Sequence, residues 1–302
     1  MHHCGVRGPT VLSLLRWTAG PLGPHLPAGE RVPALTPDAA AGRLEHHLHG
    51  GEIHLLGAHP EASNVVLVAE VEQGGERVLA AYKPVRGERP LWDFPDGSLA
   101  ARERACYLLS RAAGFDSVPV TVLRSGPLGP GSVQRWVGSV EGGPSPVDVS
   151  APEEVPAGHL VVLAGEDELG RPVVVHHADT ASLRSLAVLD AVLNSSDRKG
   201  SHVLLEDDRA VAIDNAVSLH TEPKLRTVLW GWAGQPLQDH DRERVIRLER
   251  ALAEDRALTD ELDELLTVPE VAALRDRVEA LQRDGVHPLP GGDWPAIPWP
   301  PV

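Results

Sequence analysis

The chain contains 302 residues, with 43 acidic and 28 basic side chains and a formal net charge of −15 at pH 7. This length allows one large domain or two small ones, and 42% apolar against 24% charged residues excludes a fully disordered chain. The acidic balance argues against a nucleic-acid partner held by charge alone, because such binding needs a cationic surface.

The cysteine content and the apolar segments bear on location. Two cysteines, Cys4 and Cys106, are too few for a disulfide framework and favour a reducing compartment. No segment approaches the roughly 20 apolar residues of a membrane span, and the N-terminal segment lacks the pattern of a signal peptide. We therefore expect a soluble, cytoplasmic protein without stable membrane insertion.

The first half of the chain predicts a β-rich unit. Residues 1–35 are rich in Gly and Pro without any period, so we expect an irregular extension. Gly74 and Gly75 between two apolar runs indicate a hairpin. The expected elements that follow the extension are a helix over 36–50, strands over 52–56, 64–71 and 77–84, a helix over 98–114, and strands over 118–124 and 131–137.

The second half predicts mostly helices. After a Gly- and Pro-rich segment, the expected elements are a helix over 179–194, a buried hairpin from 202–206 and 210–214, and helices over 242–254, 259–266 and 268–284. The chain therefore divides into an irregular extension (1–35), an N-lobe (36–137), a linker or insert (138–178), a C-lobe (179–285) and an extended tail rich in Pro and Trp (286–302).

Four charged side chains interrupt or end apolar elements. Lys83 ends a strand and Glu103 lies on the next helix, so the two could meet and present an ammonium group to phosphate oxygens. Asp197 in a loop and Asp214 after the hairpin could share a divalent cation and a hydroxyl nucleophile. Singly, each has an ordinary alternative as a surface charge or a turn residue. Their serial order is that of phosphoryl transfer in kinase-like folds.

Longer segments carry a resemblance to a known family. AAYKPVRGERPLWDFPDGSLAARERACYLLS, and LAVLDAVLNSSDRKGSHVLL followed by AIDNAVSLH, resemble an actinobacterial family related to the phosphatidylinositol 3- and 4-kinases, over roughly residues 36–285. The resemblance implies an α+β, two-lobed kinase-like fold. It has a β-rich N-lobe with one main helix, a helix-rich C-lobe with a buried β-hairpin, and ATP in the cleft with Mg²⁺ or Mn²⁺.

The resemblance also implies roles for N-lobe residues. Ser63 and Asn64 would lie in the hairpin that covers the phosphates. Lys83 would pair with the ATP phosphates. Gln134 and Trp136 would lie in the hinge strand beside adenine, although an ordinary buried strand is an equal alternative.

In the C-lobe, the resemblance implies that Asp197 accepts the proton of the acceptor hydroxyl and that Asp214 binds the metal ion, while Glu103 of the N-lobe orients the lysine. His202 stands where the related kinases have Asn, so it would be a nitrogen ligand that suits Mn²⁺ better than Mg²⁺, or else a structural residue. Ala216 stands where the metal motif usually has Gly, and a positive φ there would be strained.

Other polar residues have weaker interpretations. Arg198 and Lys199 could receive an anionic substrate or form a solvated charge pair. The pair His176 and His177 lacks a metal-binding motif, so a structural or surface role is expected.

The sequence therefore predicts an ATP-dependent kinase-like enzyme that phosphorylates a hydroxyl of a small molecule, lipid or protein. Without a basic amphipathic helix, a soluble acceptor is favoured over a membrane lipid. Two alternatives stay open: a nucleotide-binding pseudokinase or regulatory scaffold, and nucleotidyl transfer on the same fold.

Overall fold

The N-lobe is built on a five-stranded antiparallel sheet. The computed structural model describes residues 37–58, 64–89, 91–94, 97–138, 145–292 and 295–302. The sheet has the strand order β1-β2-β3-β5-β4, with α2 inserted between β3 and β4. The elements are α1 (Pro37–Gly50), β1 (Glu52–Ala58), β2 (Leu67–Gln73), β3 (Glu76–Pro84), α2 (Leu99–Ala113), β4 (Thr121–Gly126) and β5 (Gly129–Arg135).

Local sequence explains the β2–β3 hairpin and the ends of α2. Gly74 and Gly75 have φ of 62° and 85°, as a two-residue hairpin turn with positive φ at both positions requires. Ser98 accepts a hydrogen bond from the N–H of Ala101 at 3.0 Å, and Gly114 ends α2 in the left-handed conformation. These caps confirm the helix predicted over 98–114.

A second sheet, which the sequence analysis did not predict, occupies the segment between the lobes. It consists of β6 (Val147–Ser150), β7 (His159–Glu166) and β8 (Pro172–Ala178), ordered β6-β8-β7. The β7–β8 turn is organised by Asp167, whose carboxylate accepts from the N–H groups of Leu169 and Arg171 at 2.8 and 2.9 Å. The Gly and Pro content of this segment indicates only a linker or insert, and the structure adds the three short strands.

The C-lobe is helical around one small hairpin, as predicted. Its elements are α3 (Ala181–Leu193), β9 (Val203–Glu206), β10 (Arg209–Ala212), α4 (Asp239–Glu254), α5 (Arg256–Leu265) and α6 (Val268–Asp284). Leu186, Leu189 and Leu193 of α3 are completely buried together with Leu248 and Leu274 of the later helices. The predicted α+β fold with a β-rich N-lobe and a helical C-lobe is thereby confirmed. None of the helices in the described ranges is long and apolar enough to cross a membrane.

Helix α2 is attached to the C-lobe as well as to its own sheet. Arg102, 2% exposed, donates to the carbonyl of Ser218 at 3.0 Å and forms a buried ion pair with Glu270 of α6. Arg104 donates to Glu261 of α5 at 2.7 Å. These contacts hold α2 in one position relative to the C-lobe.

The described part of the tail, 295–302, lies against the loop that follows α3. The carbonyl of Pro301 accepts from the N–H of Gly200 at 2.8 Å. The carbonyl of Ala296 accepts from the N–H of Thr227 at 3.1 Å and from the indole N–H of Trp230 at 2.8 Å. The tail therefore supports the segment around Asp197.

We predict that His287 makes the protein less stable in acid. It is 3% exposed and accepts from the Nε–H of Arg184 at 3.4 Å, and burial and this cation lower its pKa from 6.5 to about 4. As the pH falls from 6.5 towards 4, His287 binds a proton in the unfolded chain but stays neutral in the folded protein. The free energy of unfolding therefore falls by up to about 3 kcal/mol.

The measurement is urea unfolding between pH 7 and pH 4.5. His287→Gln should flatten the loss of stability with acid, whereas His49→Gln, on an exposed position of α1, should not. An unchanged slope in His287→Gln would contradict this assignment.

Candidate active site

Lys83, Glu103 and Asp214 meet where the two lobes face each other. The Lys83 ammonium forms an ion pair with Glu103 and donates to Asp214 Oδ1 at 3.1 Å, across 131 residues of sequence. Burial by itself lowers the pKa of Lys83, but the charges of Asp214 and Glu103 outweigh it, so the pKa lies above its ordinary value. Lys83 holds the pKa of Asp214 well below its usual range. The result is a fixed ammonium group and an ionised carboxylate at neutral pH.

Gln134 lies behind this cluster. Its side chain is 3% exposed, and its amide donates to Thr121 Oγ1 at 2.8 Å and to Glu103 Oε2 at 3.4 Å. The resemblance implies a position beside adenine for Gln134, whereas its side chain points towards Glu103. Trp136, two residues further along the chain, follows β5 directly and is partly buried.

Asp197 and His202 lie in one loop opposite Lys83. The ring nitrogen Nδ1 of His202 is 2.9 Å from the carbonyl of Asp197. Because a carbonyl can only accept, Nδ1 carries the proton, and in the neutral ring Nε2 has a free lone pair. That Nε2 faces Asp214 Oδ2 at 3.5 Å, and burial lowers the pKa of His202. Two electron-pair donors thus face one gap. Lys199 reaches back to Asp197 at 3.3 Å.

Arg198 has neither of the roles that we considered for it. It is completely buried, and it pairs with the buried Asp190 of α3 at 2.9 Å. Its other nitrogens donate to the carbonyl of Ile213 at 2.9 Å and to Asn215 Oδ1 at 2.6 Å, on either side of Asp214. Arg198 therefore positions the Asp214 segment from within the core and is not available to a substrate.

Asp214 itself adopts the left-handed backbone conformation, with φ of 54°. Aspartate tolerates this region better than most residues. Ala216 is not among the described residues with positive φ, and it is 6% exposed in the core. The strain that we considered at Ala216 is absent.

The residues predicted to cover the phosphates are only partly described. Ser63 lies outside the described residues. Asn64 Oδ1 accepts from the backbone N–H of Arg89 at 3.1 Å, so its side chain fixes the loop after β3. At the other end of the cleft, Arg135 at the end of β5 forms a bidentate pair with Glu206 of β9, with N···O distances of 2.6 and 2.8 Å. This pair joins the lobes beside Trp136.

The donor set suits a divalent cation shared with a ligand. No group of three or more His, Cys, Asp or Glu side chains in the described ranges is arranged to hold a metal ion. Asp214 and His202 nevertheless present one carboxylate oxygen and one imidazole nitrogen to a common gap, as described above. A metal held by two protein ligands needs further oxygen ligands, which phosphates supply in nucleotide enzymes.

The sequence predictions did not include Asp190, and they placed Gln134 in a hinge strand rather than as a support for Glu103. In the sequence, Asp190 is a carboxylate within a largely apolar helix. This pattern predicts a buried partner, because a carboxylate at such a position needs one. Gln134 similarly interrupts a buried strand. What each contacts depended on the tertiary structure.

Known proteins resemble this chain in sequence and in fold. The protein Rv2133c of Mycobacterium tuberculosis is 42% identical over 262 residues, which is 84% of this chain and 93% of that protein. A crystal structure of the Golgi casein kinase with Mn/ADP bound matches with a TM-score of 0.51 and 13% identity, over 82% of this chain and 76% of that chain. A second crystal structure of the same kinase matches with a TM-score of 0.47 and 14% identity, over 83% of this chain and 75% of that chain. No family model matches the chain. The likeness to the first kinase structure shows a kinase-like fold.

We predict that Asp190→Asn destabilises the protein by about 3 kcal/mol, because it leaves the Arg198 charge buried without its counterion. Urea unfolding at pH 7 measures the change. Asp263→Asn, at an exposed position of α5, should change stability by less than about 0.5 kcal/mol. A loss below about 1 kcal/mol in Asp190→Asn would contradict the role given to this pair.

Proposed function

The chain belongs to the family of the Mycobacterium tuberculosis protein Rv2133c, and we propose that it is an ATP-dependent, kinase-like phosphotransferase. The observation that carries the proposal is the convergence of Lys83, Glu103 and Asp214, which lie far apart in sequence, in a kinase-like fold. We assign to these residues, in this reaction, the roles that the sequence resemblance implies.

In this proposal Lys83 binds the phosphates of ATP. Its pKa lies above the ordinary value, so it keeps its charge throughout the neutral range. Glu103, 1% exposed, forms an ion pair with this ammonium group and holds it in place. A cation already paired and positioned needs little reorganisation when charge develops on the transferring group. Ser63 and Asn64 would lie near the same phosphates, and the β5 end at Trp136 would lie near adenine.

Asp214 and His202 would hold the metal ion. Their donor atoms face one gap, and the imidazole nitrogen favours Mn²⁺ over Mg²⁺, since Mg²⁺ prefers oxygen ligands. A divalent cation at this position neutralises charge on the phosphates of a bound nucleotide. The Golgi casein kinase was solved with Mn/ADP, which is consistent with a site of this kind.

Asp197 would orient the acceptor hydroxyl and receive its proton. Its side chain is 31% exposed and thus accessible, and its backbone carbonyl anchors His202. The neighbouring Lys199 keeps the carboxylate in place. We propose a soluble hydroxyl-bearing acceptor, a small molecule or a protein, because the chain is acidic and its sequence lacks a basic amphipathic helix that would favour a membrane lipid.

Asp197→Ala and Asp214→Asn should each lower turnover by about 10²-fold or more, since the first removes the proton acceptor and the second removes a metal ligand. The measurement is ADP release from ATP with MnCl₂, together with the mass of any acceptor in a metabolite mixture. Asp260→Asn, at an exposed position of α5, is the control.

Full activity in both site variants would contradict the proposal. An acceptor that gains AMP would show nucleotidyl transfer on the same fold. ATP-dependent thermal stabilisation without any turnover in the wild type would show a nucleotide-binding pseudokinase.

A further inference from the structure

A buried chain of polar side chains runs under the Lys83–Glu103 pair. Thr121 of β4, Gln134 of β5 and Glu103 of α2 are 0%, 3% and 1% exposed. Most buried polar groups in proteins are hydrogen-bonded, so the partners of each member are informative. In the described structure Glu103 is hydrogen-bonded by Lys83 and Gln134.

The donors and acceptors in this series of hydrogen bonds follow from its first acceptor, the carbonyl of Pro119. The carbonyl of Pro119 can only accept, so the hydroxyl of Thr121 donates to it, at 2.8 Å. The hydroxyl is then left with lone pairs, and it accepts from the amide nitrogen of Gln134 at 2.8 Å. This places the NH₂ group of Gln134, and not its carbonyl, on the side of Glu103. The second amide hydrogen is directed to Glu103 Oε2, 3.4 Å away.

We infer that Gln134 is a positioning residue for the Lys83–Glu103 pair. Its amide holds one oxygen of the Glu103 carboxylate while Lys83 binds the other, so the carboxylate cannot rotate or move away from the ammonium. The strand β5 thereby fixes the pair from below, while the contacts of Arg102 and Arg104 fix the helix that carries Glu103.

This role differs from filling a buried space. Leucine has a similar size to glutamine but cannot donate a hydrogen bond. If Gln134 only filled space, Gln134→Leu would change stability alone. If it positions the pair, Gln134→Leu also frees the Glu103 carboxylate to move, and the reactivity of the Lys83 amine changes.

The first test does not depend on the proposed function. Acetic anhydride labels accessible lysine amines, and mass spectrometry reads the rate at Lys83. We expect Lys83 to be acylated about tenfold faster in Gln134→Leu than in the wild type, because a hydrogen bond to a charged group accounts for a change of this size. Ser132→Ala is the matched control, since it removes from the same strand a buried hydroxyl that has no hydrogen-bond partner within the described ranges.

The second test rests on the proposed function. In Gln134→Leu, kcat/KM for ATP should fall about tenfold or more, with folding verified by circular dichroism. A wild type that neither binds nor hydrolyses ATP would end the proposed function, while the acylation rates would still decide the role of Gln134. Unchanged acylation of Lys83 in Gln134→Leu would overturn this inference.

Thr121 provides a second variant if the Gln134 substitution prevents folding. Thr121→Ser keeps the hydroxyl that orients the amide, so the Lys83 acylation rate should stay at the wild-type value. Thr121→Val keeps the shape but removes the acceptor, and the rate should rise as in Gln134→Leu. Equal rates in the two Thr121 variants would also overturn the inference.

Discussion

A buried arginine, Arg198, determines where the two aspartates of the site lie. A completely buried guanidinium must find a counterion and acceptors, because leaving it unpaired in the core costs several kcal/mol. Here Asp190, the carbonyl of Ile213 and the side chain of Asn215 supply them. Asp197 directly precedes Arg198, and Asp214 lies between the two acceptor residues Ile213 and Asn215. The contacts that pair the buried Arg198 therefore also bring both aspartates to one end of the hairpin.

A second set of contacts positions the N-lobe half of the site. Arg102 binds helix α2 to the C-lobe, so Glu103, the next residue of that helix, has a fixed position relative to Asp214. Lys83 then lies between two carboxylates, one from each lobe. At the opposite end of the cleft the Arg135–Glu206 pair joins the lobes a second time. Ion pairs therefore join the two lobes at both ends of the cleft.

Much of this arrangement followed from the sequence, because its signals are local. Gly74 and Gly75 gave the hairpin and Ser98 gave the start of α2, since turn and cap chemistry act over a few residues. The order of Lys83, Glu103, Asp197 and Asp214 suggested that they would meet, and the structure brings Lys83, Glu103 and Asp214 into contact.

The remaining features depend on long-range contacts that no local pattern reports. The burial of Arg198 beside Asp190, the direction of Gln134 towards Glu103 and the tautomer of His202 all follow from partners brought together by the fold. The sheet of β6, β7 and β8 was missed for a different reason: its strands are short, and glycines and prolines surround them. Arg198 is the clearest case, because in a polar loop an arginine ordinarily reads as solvated.

The most direct measurement is a crystal structure with Mn²⁺ and a non-hydrolysable ATP analogue. We expect phosphate oxygens within hydrogen-bond distance of the Lys83 ammonium, and the metal ion bound by Asp214 Oδ2 and His202 Nε2. A nucleotide bound elsewhere on the molecule, or a metal ion that leaves both of these side chains uncoordinated, would contradict it.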